Sequence, residues 1–227
     1  MKYFNLIQLV FVFLSVSNGN TQEYFEGKIE YMVTYETLSP DIYVSYLEKE
    51  IGTSFTAYIQ EDRFAMIYHA TGEQGWMKAI IRLDENYTYI EYEKSDVIVK
   101  TKFGSQDYKF IALRRNLKDQ KEVLGELCES VSIEYNDQNS DPFYKNFKGT
   151  YYFNPKYKLN TKLYKNYTEG LWNLITEETG TISLRNESEY GNLFKSVEQA
   201  TAIEQKSIPN AMFEPNAAKK VYEKYKQ

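Results

Sequence analysis

The chain has 227 residues, with 27 Lys and Arg against 32 Asp and Glu, a net charge of -5. This balance argues against nucleic acid as a partner, since binding to a phosphate backbone depends on clustered cations; the nearest approach to a basic patch, Arg114-Arg115-Asn116-Leu117-Lys118, is expected to be a solvated turn between strands. A single cysteine, Cys128, and a single histidine, His69, exclude an internal disulfide and any site built from several imidazoles.

In chain order, the first element is an address. Lys2 is followed by an apolar run from Leu6 to Val16, broken only by Gln8 and Ser15, and then by Ser17-Asn18-Gly19. The run is shorter than the ~20 apolar residues that cross a bilayer, and its small, polar exit is that of a secretory signal cleaved after Gly19. Residues 20–227 are therefore read as one exported β-rich domain with no transmembrane segment, periplasmic or, alternatively, extracellular. Loss of Lys2 leaves 26 basic against 32 acidic residues and a net charge of -6.

The next segment alternates. Phe25, Gly27, Ile29, Tyr31, Val33 and Tyr35 fall on one side, and Glu26, Lys28, Glu30, Thr34 and Glu36 on the other. Period two over this length predicts a long antiparallel strand with one face on a core. Ser39-Pro40-Asp41 then opens an amphipathic helix over Ile42, Val44, Tyr46, Leu47 and Ile51, which Gly52 ends. A meander of strands follows at 54–60, 63–69, 76–83, 87–93 and 97–103, separated by polar turns. Further strands are expected at 108–113, at 122–135 with a bend or bulge at Gly125, and at 150–153. The spacing of Leu163, Tyr164, Tyr167, Leu171, Trp172 and Ile175 predicts a second amphipathic helix. Strands at 181–185 and 193–205 flank a turn at 186–192, and the polar tail is expected to form a short helix.

Chemical signatures are sparse. His69 stands at a strand end with no nucleophile elbow or metal-ligand spacing beside it, and Cys128 has no histidine near it in sequence, so both are read as structural. Asp137, Asn139 and Asp141 begin a calcium-loop spacing that fails at Pro142, where glycine is needed, and at Lys148, where a carboxylate belongs. Sequons stand at Asn86, Asn166 and Asn186. No catalytic residue, metal ligand or cofactor is expected. The 22 Tyr and 13 Phe against 5 Pro suit half-buried strands. Tyr31, Tyr35, Trp76 and Trp172 are the candidate ligand-binding residues, since aromatics on a sheet and on a helix can line an apolar cleft.

The opening strand Glu26-Gly27-Lys28-Ile29-Glu30-Tyr31, the segment Val123-Leu124-Gly125-Glu126-Leu127-Cys128 and the closing Ile208-Pro209-Asn210-Ala211-Met212-Phe213-Glu214-Pro215 together resemble exported bacterial domains of unknown function, distantly similar to GLPGLI proteins and LolA-type lipoprotein carriers. The resemblance implies a mainly β fold: a curved antiparallel sheet forming an open half-barrel, with helices on its concave face and, in the carriers, an apolar cavity between them. Two functions follow as expectations. One is a non-catalytic envelope protein holding a lipid or other hydrophobic ligand between sheet and helices. The other is an envelope domain that binds a partner protein and whose core is filled by its own side chains. N-terminal sequencing of the exported protein is expected to begin at or within a few residues of Asn20; a membrane-bound product that keeps Met1 contradicts the signal.

Overall fold

The computed structural model of the chain describes residues 24–139 and 145–224. The signal 1–19 lies outside the described residues, as do Asp141 and Pro142. The elements are β1 (Gly27–Thr37), α1 (Val44–Glu50), β2 (Ser54–Ile59), β3 (Arg63–Tyr68), β4 (Met77–Arg82), β5 (Tyr87–Tyr92), β6 (Val97–Lys102), β7 (Tyr108–Val123), β8 (Glu126–Asp137), β9 (Asn146–Lys158), α2 (Trp172–Thr179), β10 (Thr181–Tyr190), β11 (Phe194–Gln205) and β12 (Lys220–Lys224). Short 3-10 turns precede α2 at Leu163–Asn166 and Glu169–Leu171, and another lies at Asn210–Phe213.

The twelve strands of the described residues form one unclosed sheet in the order β12-β6-β5-β4-β3-β2-β1-β11-β10-β9-β8-β7. Pairing is antiparallel throughout except between β12 and β6. The fold class is thus mainly β, with an open sheet and few helices. The aromatic contacts of residues 163–179 show how strongly it curves. Tyr167 packs on Phe103, next to the end of β6, with ring centroids 5.0 Å apart, and Trp172 packs on Tyr151 of β9 at 5.1 Å. In the sheet order β6 and β9 are eight strand spacings apart, about 38 Å if the sheet were flat. Two rings five residues apart in the chain reach both only if the sheet wraps around them. Inward side chains of β1, β2 and β4, among them Ile29, Tyr31, Phe55 and Ile81, form the core beneath that wrap.

The opposite face is covered over β3, β4 and β5. There Ala65, Ile80 and Tyr89 bury against Ile208 and Phe213 of the segment that leads from β11 to β12. Phe213 is wholly inaccessible.

The first half of the chain follows the expected elements closely; the second half departs from them in six places. Leu124 and Gly125, with φ of 53° and 75°, make a two-residue hairpin between β7 and β8, with Val123 opposite Glu126. The chain therefore reverses where one bulged strand was expected. Both central residues occupy the left-handed region, as the favoured hairpin turn requires. The basic run at 114–118 is part of β7 rather than a turn; Arg115 pairs with Glu129 at 2.6 Å across the hairpin. β9 has 13 residues, far more than the expected 150–153, since Tyr151 and Tyr152 are buried on opposite faces and leave no alternation to read. β10 runs on through the supposed turn, with Asn186 paired to both Tyr151 and Glu198. The polar tail forms β12, parallel to β6, in place of a helix.

The predicted helix over 163–175 is also broken. Gly170 and Leu171 both have left-handed backbone, φ 57° and 58°, so regular helix begins only at Trp172. Leu171 accepts a conformation that costs a side-chain-bearing residue about 1–2 kcal/mol, and its side chain is buried with Ile175 against β8 and β9.

Truncating the outer-face anchor, Phe213→Ala, is expected to lower stability by about 3–5 kcal/mol, read by denaturant melts. Tyr222→Ala, at an exposed position on β12, should change it by less than about 0.5 kcal/mol.

Candidate functional site

Between the wrapped sheet and residues 159–172 lies a cavity of about 290 Å³. One wall is aromatic. Tyr31 stacks on Phe55 with ring centroids 4.4 Å apart, and Phe55 on Tyr68 at 4.8 Å. The facing wall comes from Tyr164, Tyr167 and Trp172 on the covering segment, and Phe64 packs on Tyr164 at 6.2 Å where the two meet. Ile59, Leu159 and Ile182 close the apolar part.

The cavity also has a polar part, and it comes from a single hairpin. Ser183, Asn186, Ser188 and Tyr190 of β10 and Glu198 of β11 all line it. Asn186 and Glu198 are directly opposite in the ladder, and the Asn186 amide donates from Nδ2 to Glu198 Oε2 at 2.8 Å. Ser183 Oγ donates to Asn186 Oδ1. Residues three apart in a regular strand face opposite ways. A shift in the pairing with β9 between Ser183 and Arg185 brings Ser183 and Asn186 to the same side. The Tyr31 hydroxyl donates to the Ser183 carbonyl at 2.7 Å, fixing the irregular point to β1.

Burial sets the protonation of these groups. The hydroxyls of Tyr31, Tyr68, Tyr151, Tyr164 and Tyr167 are pushed well above the ordinary tyrosine range by desolvation. Tyr190 rises to about 12 for the same reason. The tyrosine lining therefore stays neutral. Glu198 is raised by burial, with the Asn186 hydrogen bond acting against it. On the covering segment, burial pushes Glu169 up to about 7. Beyond its own backbone amide, neither Glu169 oxygen has a hydrogen-bond partner among the described residues, and nearby Thr168 Oγ1 and Asn173 Oδ1 are also buried and unpartnered.

Of the four aromatic candidates, Tyr31 and Trp172 line the cavity, on its sheet wall and its helix wall. Tyr35 lies further along β1. Its hydroxyl donates to the Gly52 carbonyl at 2.7 Å, and it borders a second space of about 500 Å³ among Glu36, Lys148, Glu189 and Lys195. That second space is lined mostly by polar and charged groups. Trp76 stands apart just before β4, where the Lys219 ammonium sits 5.3 Å from its ring. Glu198 and Asn186 were missed by sequence reasoning. The signal for Glu198 was period two in β11, since Phe194, Ser196, Glu198 and Ala200 share one side, which puts Glu198 in an inward place.

The other sequence candidates take ordinary positions. Cys128 is buried and its thiol is pushed up to about 11 by desolvation, which keeps it protonated. His69, at an exposed strand end, meets Thr56 Oγ1 at 3.1 Å through Nε2. Asp137 accepts the amide of Asn139, as in a turn. Among the described residues, no three His, Cys, Asp or Glu side chains gather to hold a metal ion, and no helix is long and apolar enough to cross a membrane.

No family model matches the chain, and no curated protein matches it. Among solved structures it is similar to an uncharacterized conserved protein from Thermus thermophilus, with 9% identity, a TM-score of 0.45 and coverage of 88% of this chain and 91% of that one. It is also similar to a LolA superfamily protein from Nitrosomonas europaea, with 7% identity, a TM-score of 0.40 and coverage of 85% and 91%.

Glu169 gives a pH signature. Its folded value of about 7 exceeds the ordinary 4.5, so the folded chain binds the proton more tightly than the unfolded one. Any benefit is complete below 4.5 and is lost as pH rises towards 7. Relative to the native chain, Glu169→Gln is expected to gain stability between pH 4.5 and 7 and to show a constant difference outside that window. Melts of both proteins from pH 4 to 8 measure it, and a pH-independent difference contradicts the assignment.

Proposed function

We propose that this chain is a non-catalytic carrier or sensor that holds a lipid acyl chain, or another hydrophobic molecule, in the cavity between the sheet and residues 159–172. The aromatic-lined cavity itself carries this reading. Protein interiors pack as densely as organic crystals and leave few voids larger than a water molecule, whereas this space of about 290 Å³ is near the lower end of small-molecule sites. Its large apolar portion offers water few partners and suits an apolar guest. A few polar groups converge on one side, as is usual in ligand pockets. The signal read in residues 1–19 supports a setting in the cell envelope.

The partner-protein reading requires these walls to be nothing more than core, and truncation separates the two. If Trp172 borders an existing space, Trp172→Ala should cost less than the ~3–5 kcal/mol typical of a buried Trp to Ala change, and it should alter the affinity for an apolar fluorescent probe. A full loss of that size, in a protein whose native form binds no probe, refutes the carrier reading. Thermal melts and probe titrations on both chains decide the matter.

A further inference from the structure

Resting on the carrier reading, we infer that the cavity selects an amphiphile whose polar end is a cationic nitrogen, a primary or secondary ammonium group, docked on Glu198 with its apolar tail against Ile59, Phe64 and Leu159.

The argument begins with polarity. The cavity's carboxylate and its amide both come from the β10–β11 hairpin, while the walls contributed by β2, β3 and the covering segment are aromatic or aliphatic. A guest that fills both parts must itself be polar at one end. Glu198 then decides which polarity. Its Oε2 takes the Asn186 amide, and no cation acts on it among the described residues. The nearby groups that feel its charge are the hydroxyls of Tyr31, Tyr35, Tyr68, Tyr151 and Tyr190, and all of them are held neutral. The hairpin's own cations are occupied elsewhere: Arg185 Nε donates to Glu187 at 2.7 Å and its guanidinium also meets Gln199, while Lys195 pairs with Glu189 at 3.4 Å.

An ionised carboxylate among rings with no cation beside it is costly, and burial accordingly raises Glu198 toward its protonated form, a cost that a bound cation removes. Simpler side chains would fill that inward position, as Ala200 and Phe194 do on the same side of β11. The acid makes sense when a guest completes it. A protonated amine supplies both the missing charge and the hydrogen-bond donors, and charge-assisted bonds of this kind are the strong ones. A fatty-acid anion brings a second negative charge into the same space and is rejected. An alcohol of equal length fills the apolar part and gains only a neutral hydrogen bond.

Decylamine, decanol and decanoate share a tail and differ in head. Displacement of an apolar fluorescent dye at pH 7 is expected to rank them amine, alcohol, acid, with the amine about ten- to hundredfold tighter than the alcohol. Glu198→Gln keeps the shape and still accepts from Asn186, and it should bring the amine down to the level of the alcohol. Equal affinity for the three, tightest binding of decanoate, or an amine preference that survives in Glu198→Gln overturns the head-group assignment and leaves the carrier reading standing. Failure of the native chain to bind any of the three overturns both. The ranking on the native chain is itself decisive if the variant does not fold.

Discussion

The contact on which the concave side depends is made by a few rings of the segment between β9 and β10. Tyr167 reaches the end of β6 and Trp172 reaches β9, so a sheet that would otherwise twist open is held around a short stretch of chain. That stretch is irregular because it must meet both walls within a few residues, and the left-handed pair Gly170-Leu171 provides the change of direction. Its irregularity also leaves polar atoms of Thr168, Glu169 and Asn173 without partners among the described residues. Such a short run of turns cannot fill the hollow of a twelve-stranded sheet, and a cavity is what remains.

How much of this was legible depended on whether one face of a strand is wet. β1 could be placed by its alternation, and β2 through β6 to within one or two residues at most ends because polar turns mark where each one stops. β7 could not be followed past Leu113, since an edge strand with polar residues on both sides has no alternation to follow, and the turn at Leu124-Gly125 then looked like a bulge. In β9 the difficulty was the reverse: Tyr151, Tyr152 and Phe153 are all buried, so both faces are apolar. β12 pairs with β6 through long-range backbone hydrogen bonds, which a five-residue polar pattern does not announce.

The site divides along the same line. Tyr31 and Trp172 were legible because large aromatics at strand and helix spacing mark an apolar interior. Glu198 was not, because an acidic side chain in a polar strand reads as its solvent face, and Asn186 was not, because it opened what read as a polar turn. The shift in pairing at Ser183 turns Asn186 inward, and only the ladder reveals that shift. One sequon asparagine is thereby a cavity residue, held by Ser183 and Glu198, while the other two, Asn86 and Asn166, bond to each other at 3.0 Å on the surface.

The placement of the two tryptophans has an optical consequence. Trp172 borders the cavity, and Trp76 lies outside it beneath the Lys219 ammonium. The chain has no other indole, so its intrinsic emission is the sum of two reporters in different surroundings. A brominated guest in the cavity would quench the first and spare the second. Tyrosines on both walls line the same hollow as Trp172, so a guest there would be read in the emission of the unlabelled protein.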